Sequence, residues 1–415
     1  MNVKSDYKYP FINDYCGVIS NLIEENPVPG NIGMISSLAK SNTLVNISLS
    51  VMFPSRFTGL GYDFTSRNLS NLRAIGECLE RYCSVIYDKE EIYEGNSSEL
   101  PFESIDITEI TRYPDRLYTE DFPFKKIYKD ITLKWVLGSN LYSKQLCFIP
   151  VDLIYLNAIQ LIDKPIREIT STGLACQTTQ LKAYESGLLE CIERDAIVKM
   201  WVEDSCFHEI DLDTLESMDM KLIRKEIDKT GLELRVIDIS TDLRVPTYFS
   251  IITSSKVPYC SVGAKTAFDK TDALLGSIRE ACAVYNLNNL KDYSQIGATK
   301  PSQIHTDYVN MHDHSDVFAK FNLNYLLEKK IGIKVNFHDS HFNITTFDQL
   351  LLELNQKNID VYGVDLTTPD VKEMGYHVVR VVVPKLCFLE ASFPMTETSR
   401  LEDIEVEEIH PHPFP

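Results

Sequence analysis

Two short segments of the sequence place paired glutamates where they could bind a cation. The letters ECLER at residues 77–81 are repeated almost verbatim as ECIER at residues 190–194. In each copy the two carboxylates are three residues apart, so they project from one face of a helix, with an arginine directly after the second. If the two helices lie side by side, four carboxylates converge. Carboxylate oxygens suit Mg²⁺, which proteins hold with a few carboxylates plus phosphate oxygens.

The second copy lies in a segment that is apolar on most sides. A helix is predicted from Thr179 onward, and apolar residues fall on several of its faces. A carboxylate removed from water is costly unless it is paired or binds a cation. A single E-x-x-E-R is more simply a surface helix with weak Glu–Arg pairs, but the repeat and the apolar surroundings favour a cation site. A third predicted helix, residues 273–287, carries Glu280, for which pairing with a neighbouring cation and a ligand role remain equally open.

Composition limits the possible functions. The chain has 415 residues, 44% of them hydrophobic, which allows one large domain or two to three ordinary ones. A formal charge of −19 argues against nucleic acid as a partner. The first sixteen residues contain no apolar signal core, and no run of about eighteen apolar residues occurs. We therefore expect a cytoplasmic protein without a membrane span. The ten scattered cysteines indicate reduced, mostly buried thiols rather than a nucleophile at Cys78 or Cys191.

The pattern of apolar residues predicts the remaining elements. Residues before about 45 are predicted to be irregular, with a loop around the prolines and glycines of residues 27–33. The predicted strands are residues 45–53, 133–137, 146–151, 234–239, 247–253, 259–263, 359–367 and 375–386. Besides the glutamate helices, helices are predicted at 212–230 and 347–356. Arg380, inside an apolar strand, is either an ion-paired structural residue or a phosphate contact. The acidic tail ends in alternating prolines, which favour an extended conformation.

Together these segments resemble the YcaO family, in particular the D-protein cyclodehydratases that install azolines in ribosomally made peptides. The resemblance is carried by RAIGECLERY (73–82), STGLA with SGLLECIERDA (171–196), SIREA (277–281), the segment 364–384 and the terminal PHPFP. It implies an α+β fold in which mixed and antiparallel sheets pack against helices and the repeated glutamate helices form a central nucleotide site. It also implies a lead-in segment with the first strand (1–58), a catalytic domain (59–390) and a tail (391–415) that is inserted toward the active site.

The activity that the resemblance implies uses ATP and Mg²⁺. A Cys, Ser or Thr side chain attacks the preceding amide carbonyl, ATP phosphorylates the resulting oxyanion, and phosphate leaves to give a thiazoline or oxazoline. Phosphoryl transfer is chiefly a matter of positioning and charge neutralisation, which explains a need for metal-binding carboxylates. By position, the implied Mg²⁺ ligands are Glu77, Glu80, Glu190, Glu193 and Glu280. The implied ATP and phosphate contacts are Arg81, Arg194, Arg73 and Lys182, and the implied catalytic or substrate-positioning residues are Pro413 and Pro415.

The chain departs from the family pattern at several positions. Leu60 stands where relatives carry the lysine of a G-K-G loop, Arg73 where a serine is frequent, and Gly276 where relatives carry an arginine. Thr178 and Lys182 replace an asparagine and an acid. Arg73 and Lys182 are expected to replace positive charge near the phosphates.

The resemblance also implies partners. We expect a precursor peptide and a separate leader-peptide-binding protein, because no segment resembles the recognition domain that some relatives carry at the amino end. A flavin dehydrogenase would be a separate protein of the same complex, and the chain would form a homodimer or a hetero-complex. Two alternatives stay open: another YcaO reaction that forms a thioamide or an amidine, and a diverged scaffold that no longer turns over ATP.

Overall fold

The structure is a computed structural model, and it describes residues 9, 11–14, 17–42, 56–256, 258–290, 323–390, 400–401 and 412, with only the backbone at 116. The helices are α1 (Arg67–Cys83), α2 (Gln180–Val202), α3 (Met218–Asp228), α4 (Lys270–Asn288), α5 (Phe347–Gln356) and α6 (Pro369–Glu373). The strands are β1 (Ile19–Glu25), β2 (Ile35–Ser41), β3 (Thr58–Asp63), β4 (Tyr93–Gly95), β5 (Leu133–Asn140), β6 (Leu146–Pro150), β7 (Leu174–Gln177), β8 (Phe207–Asp211), β9 (Glu233–Asp238), β10 (Thr247–Thr253), β11 (Cys260–Thr266), β12 (Ile331–Asn336), β13 (Tyr362–Asp365) and β14 (His377–Val382).

These strands form three sheets. The first is an antiparallel meander in the order β1-β2-β3, and the second has the order β11-β10-β9-β8-β12. The third has the order β4-β5-β13-β14-β7, with β6 beside β5. All pairs are antiparallel except β8 with β12. Strands β3, β7 and β11 each end their sheet, so each has an edge without a strand partner among the described residues.

Two strand–helix units repeat the same close packing. In the β3–α1 unit, a Cβ added to Gly59 would lie 2.2 Å from the carbonyl oxygen of Ala74 and 2.4 Å from the amide nitrogen of Cys78. In the β11–α4 unit, a Cβ at Gly263 would lie 2.6 Å from the carbonyl oxygen of Ser277 and 2.3 Å from the amide nitrogen of Ala281. No side chain fits at either glycine, because both neighbours are helix backbone. The two units therefore hold strand and helix in the same register.

Helix α2 lies between these units and is buried on most sides. Thr179 caps it, with its side chain accepting a hydrogen bond from the amide of Lys182. Its first half packs in one core cluster through Leu188 and Ile192, and its second half packs in another through Met200 and Trp201. The helix therefore presents glutamates from a scaffold that packing fixes on several faces.

Several predicted elements differ from the observed ones. Strands β1 and β2 lie in the segment predicted to be irregular; that prediction was wrong because the inward positions of β2 include Ser37, Ala39 and Ser41, which leave no apolar alternation to read. The predicted helix at 212–230 begins only at α3, where Ser217 caps it. The predicted strand at 45–53 lies outside the described residues. Within the described part of the chain, no helix is long and apolar enough to span a membrane.

Candidate functional site

The edges of the three sheets meet the glutamate helices. Glu77 of α1 accepts a hydrogen bond from the amide of Leu60 on β3 at 2.6 Å, and Glu280 of α4 accepts one from the amide of Ala264 on β11 at 2.8 Å. Glu190 of α2 accepts one from the amide of Gly173, just before β7, at 3.0 Å. At β3 and β11 the carboxylate takes an amide that a further strand would otherwise have used, and at β7 it takes the amide of the loop residue before the strand.

The second glutamate of each pair reaches the neighbouring unit. Glu80 of α1 accepts a hydrogen bond from the amide of Cys176 on β7 at 2.8 Å. Glu193 of α2 accepts one from the amide of Thr266 on β11 at 2.9 Å. Glu80 thus connects α1 to β7, and Glu193 connects α2 to β11. Glu77, Glu80, Glu190, Glu193 and Glu280 together form one row of carboxylates along α1, α2 and α4.

Gly173 is required where it stands. Its φ is +82°, and an added Cβ would lie 2.1 Å from the carbonyl oxygen of Val381 on β14. The amide of Val381 in turn donates to the carbonyl of Gly173 at 2.8 Å. The loop before β7 is therefore fixed to β14, in a conformation that directs the amide of Gly173 to Glu190.

Burial and mutual repulsion make these carboxylates ready to bind a cation. Burial, followed by the charge of Glu190, raises the pKa of Glu80 well above its usual value. Burial and then the charge of Glu193 raise the pKa of Glu280 to about 7. Burial also raises the pKa of Glu193, although Lys265 and Arg194 oppose this. A raised pKa means that the neighbouring positive charge is too small to stabilise the ionised carboxylate, so a bound cation would stabilise it.

Arg194 is the predicted phosphate contact that interacts with most of these carboxylates. Its Nη2 stands 3.4 Å from Oε1 of Glu190. Burial opposes its charged form, but Glu190, Glu193 and Glu280, in that order, raise the pKa of its guanidinium above the ordinary value. The structure thus brings Arg194 together with three of the five predicted metal ligands.

The other predicted cations are placed differently. Arg81 pairs with Glu77 at 2.8 Å on the half-exposed side of α1. Arg73 binds Asp63 at 2.6 Å and the carbonyl of Tyr62 at 2.5 Å, at the end of β3. Lys182 is exposed at the start of α2, two turns or about 12 Å along the axis from Glu190. The structure therefore does not bring Lys182 into the row of carboxylates.

Three further basic side chains belong to this region and were missed in the sequence. Lys265 on β11 stands 3.9 Å from Glu193, and Arg279 stands 3.7 Å from Asp63, beside Arg73. Arg167 is buried and pairs with Glu390 at 2.7 Å. Arg279 lies in the SIREA segment next to Glu280, a signal that could have marked it; Lys265 and Arg167 belong to no motif with a characteristic spacing, so only the folded chain places them here.

Arg380 is not an ion-paired residue within the described part of the chain, which was one of the two roles predicted for it, and its role as a phosphate contact stays a prediction. It is buried and donates to the carbonyls of Leu153 at 2.9 Å and Thr170 at 2.7 Å, with no ion pair among the described residues. Its hydrogen bonds hold the loop that leads to Gly173, so its observed contacts are those of a structural residue.

The five glutamates do not form a closed metal cage in this structure. In the described ranges, no group of three or more His, Cys, Asp or Glu side chains is close enough to hold a metal ion. The strongest electrostatic interactions among these carboxylates run in two pairs, since, after burial, the charge of Glu190 raises the pKa of Glu80 most and that of Glu193 raises the pKa of Glu280 most. Pairs of carboxylates fit Mg²⁺, which completes its octahedron with water and phosphate oxygens.

A cavity of about 110 Å³ lies beside the β3 end of this row. Leu60 and Tyr62 of β3 form one side, and Asn286 and Leu287 at the end of α4 form another. Burial, together with the charges of Glu77 and Glu25, raises the pKa of Tyr62 to about 12, which keeps its hydroxyl protonated. The cavity thus combines apolar walls with polar groups and shares Leu60 with the Glu77 site.

The described parts of the tail are anchored by buried charges. Glu390, where the described fold ends before the tail, is bound by Arg167, and the hydroxyl of Tyr113 donates to its carboxylate. Arg400 binds Asp195 of α2 at 2.7 Å, and Nε2 of His412 lies 3.0 Å from the carbonyl of Glu390. Pro413 and Pro415 lie outside the described residues.

The cysteines next to the glutamates are poor nucleophiles. Burial raises the pKa of Cys78 and of Cys191 to about 12, and the neighbouring glutamates add to this effect. All nine cysteines of the described residues are free thiols. A thiol that is protonated at neutral pH does not support nucleophilic catalysis.

Comparison with known proteins adds independent findings. The family model described as YcaO cyclodehydratase, ATP- and Mg²⁺-binding, matches residues 64–387. No curated protein matches the chain by sequence.

Solved structures resemble the chain in fold. A heterocyclase in complex with substrate and cofactor has a TM-score of 0.73 at 16% identity; it covers 97% of this chain, which spans 56% of the heterocyclase. YcaO from Methanopyrus kandleri, bound with AMPPCP and Mg²⁺, has a TM-score of 0.60 at 18% identity, covering 89% of this chain and 86% of its own. A chain of the E. coli microcin synthetase McbBCD with pro-MccB17 has a TM-score of 0.64 at 18% identity, covering 95% and 96%. The predicted α+β fold is thereby confirmed.

Proposed function

The chain belongs to the YcaO family, described as ATP- and Mg²⁺-binding cyclodehydratases, and we propose that it is an ATP-dependent, azoline-forming member. In this reaction a Cys, Ser or Thr side chain of a peptide attacks the preceding amide carbonyl. The resulting oxyanion takes the γ-phosphoryl group of ATP, ADP leaves, and loss of phosphate gives the thiazoline or oxazoline. The predicted family and its cofactors, ATP and Mg²⁺, agree with the description of the family model.

This proposal rests on one observation: in the row of glutamates, three carboxylates have only one of their two oxygens in a hydrogen bond within the described residues. Glu80, Glu193 and Glu280 each accept a backbone hydrogen bond on one oxygen, and their other oxygen has no hydrogen bond within the described residues. The backbone contact fixes each side chain and leaves the second oxygen available to a ligand. We assign Glu77, Glu80, Glu190, Glu193 and Glu280 as the residues that would hold Mg²⁺, which would neutralise the charge of the ATP phosphates.

The same geometry suggests how ATP would lie. Arg194, next to the Glu190 and Glu193 carboxylates, is the first candidate for a phosphate contact, and Arg73 and Arg81 lie at the α1 end of the row. The cavity between Leu60 and Leu287 has room and apolar walls for a nucleobase. Lys182 is retained only as a prediction, since it is far from these groups.

The proline-rich tail is the proposed source of the catalytic or substrate-positioning residues. The thiol or hydroxyl of the substrate must lose a proton as it attacks, and Pro413 and Pro415 are assigned a part in this step or in placing the substrate. The support is indirect: Glu390 and His412 contact each other, and Arg400 binds α2, the helix that carries Glu190 and Glu193.

The partners and boundaries follow from the same proposal. We propose a precursor peptide as substrate and a separate leader-binding protein, with a flavin dehydrogenase in the same complex; one of the similar structures is a multi-protein synthetase bound to a pro-peptide. The lead-in segment 1–58, the catalytic domain 59–390, the inserted tail 391–415 and a homodimeric or hetero-complex state remain predictions. A cytoplasmic location remains one as well.

Reconstitution tests the proposal. The purified chain would be incubated with Mg-ATP, the leader-binding partner and peptides that contain Cys, Ser or Thr. Mass spectrometry would then measure the masses of the products. We expect loss of one water per ring with release of ADP and phosphate, and no reaction with a Glu80→Gln variant of equal stability. Sulfur uptake in place of water loss would favour the thioamide reaction. Absence of both ATP consumption and mass change would favour the scaffold.

A further inference from the structure

Lys265 stands in the middle of the proposed phosphate site. It lies on the free edge of β11, between Ala264, whose amide binds Glu280, and Thr266, whose amide binds Glu193. Its Nζ is 3.9 Å from Oε2 of Glu193, the outer limit of an ion pair, and its side chain is 48% exposed. The ammonium group is therefore close to the carboxylates without being committed to them.

Gly276 on α4 makes room for this lysine. An added Cβ at Gly276 would lie 2.6 Å from Cγ and 3.0 Å from Cβ of Lys265. The aliphatic stem of the lysine thus crosses α4 over the glycine, and this path carries its charged end to the carboxylates. Any side chain at position 276 would force Cγ and the rest of the stem into another rotamer, and it would also press on Cβ of Lys265, whose position the strand backbone sets.

Of the cations near Glu193 and Glu280, Lys265 is the one whose side chain can move toward a ligand. In the part of the chain that the structure describes, Arg194 and Lys265 are the cations that act most strongly on Glu193 and Glu280. Arg194 is largely shielded from solvent, with its side chain 17% exposed, and it pairs with Glu190. Lys265 is the more exposed of the two and has a flexible stem, so it can move onto a ligand oxygen without leaving a buried charge unpaired.

We propose that Lys265 is a phosphate-binding residue of this protein, and that Gly276 is the position that lets it reach the ATP phosphates. The ammonium group would donate hydrogen bonds to non-bridging oxygens of ATP beside Glu193 and Glu280. It would keep its proton throughout and supply positive charge only. This inference rests on the proposed function, since it names a further residue for the same nucleotide site.

Two variants approach the contact from opposite sides. Lys265→Ala removes the ammonium group, and Gly276→Ala leaves it in place but displaces the stem. Both should weaken Mg-ATP binding by about tenfold or more, as expected for loss of a charge-assisted hydrogen bond. Isothermal titration calorimetry of the full chain measures this. Lys221→Ala removes the same charge from the exposed side of α3 and should leave the affinity for Mg-ATP unchanged.

A double variant tests whether the two positions act as one. In Lys265→Ala/Gly276→Ala the stem is already absent, so the added methyl group should weaken Mg-ATP binding no further than Lys265→Ala alone. The melting temperatures without ligand should be no lower than that of the wild type, whereas a merely structural role would lower them. Losses that multiply in the double variant would overturn the role of Gly276.

The outcomes also separate this inference from the proposed function. A wild-type chain that neither binds Mg-ATP nor forms rings would overturn both. A wild type that binds Mg-ATP, with Lys265→Ala and Gly276→Ala binding equally tightly, would overturn the phosphate contact alone. Wild-type binding that is lost in both variants and kept in Lys221→Ala would support it.

Discussion

The β3–α1 and β11–α4 units solve the same packing problem with glycine in different places. In the first unit both glycines are on the strand: Gly59 and Gly61 lie against helix backbone, with an added Cβ at Gly61 1.9 Å from the carbonyl oxygen of Ser70. In the second unit Gly263 takes the place of Gly59, but Lys265 stands where Gly61 does, and the second glycine is Gly276 on the helix. The glycine common to both units, Gly59 or Gly263, brings the strand close to the helix that carries the glutamate. The glycine that differs in place, Gly61 or Gly276, determines whether a lysine side chain lies between strand and helix.

This difference changes the electrostatics of the two glutamates. Glu77 is one-third exposed and pairs with Arg81 on its own helix. Glu280 forms no ion pair with any described residue, and its pKa is raised to about 7 by burial and by Glu193. The two units therefore hold their glutamates in equivalent positions, but Glu77 already has a cationic partner and Glu280 has none among the described residues.

The largest expected effect comes from the shared glycines. Gly59→Ala and Gly263→Ala should each lower the free energy of unfolding by more than about 3 kcal/mol, because the new methyl group meets helix backbone that cannot move aside. Urea unfolding measures this. Gly76→Ala, whose added Cβ would have its nearest neighbour 4.0 Å away, is the matched control, and a loss as large there would break the comparison.

A smaller effect concerns pH and Glu280. A raised carboxyl pKa means that the folded state binds the proton more tightly than the unfolded state. The stabilisation is fully present below about 4.5 and is lost as pH rises through about 7. Without Mg²⁺, Glu280→Gln should therefore gain stability relative to the wild type between pH 5 and pH 8, by an amount on the order of 2 kcal/mol. Parallel pH profiles in urea unfolding would contradict the assigned environment.

The smallest effect is expected at the exchanged glycine. Alanine is favoured over glycine inside a helix by about 0.5–1 kcal/mol. The Lys265 stem must move and its Cβ, 3.0 Å from the added Cβ, is held by the strand, so the gain is partly offset and Gly276→Ala should stabilise the protein without ligand by less than this amount. Thermal unfolding checks the sign, and a clear loss of stability would show that the stem cannot move aside.

The sequence predicts the parts of this site that follow helical spacing. The E-x-x-E-R repeat on α1 and α2 marks four of the carboxylates, and Thr179 marks the start of α2, because these signals lie within a few residues of one another. Phe347 to Gln356 was likewise predicted with both ends. Of the strands that bind the glutamates, only β11 was predicted, at 259–263; β3 and β7 were missed, because their glycines and short lengths leave no apolar alternation to read.

The remaining features depend on contacts between distant segments. Lys265 meets Gly276 across a strand–helix interface, and Arg167 meets Glu390 across more than two hundred residues of chain. No local pattern encodes such pairs. Strand β2 was missed for another reason: its inward Ser37 is buried by hydrogen bonds with Ser70 and Asn71 rather than by apolar packing.

The central claim is that the row of glutamates binds Mg-ATP, and thermal unfolding of the wild type and of Glu193→Gln, with and without Mg-ATP, tests it most directly. The glutamine keeps an oxygen for the amide of Thr266 but cannot act as an anionic ligand. At about a hundred times its dissociation constant, Mg-ATP should add roughly 2.7 kcal/mol to the stability of the wild type. We expect a magnesium-dependent rise in melting temperature that Glu193→Gln largely loses. An equal rise in both proteins, or none in either, would contradict the account.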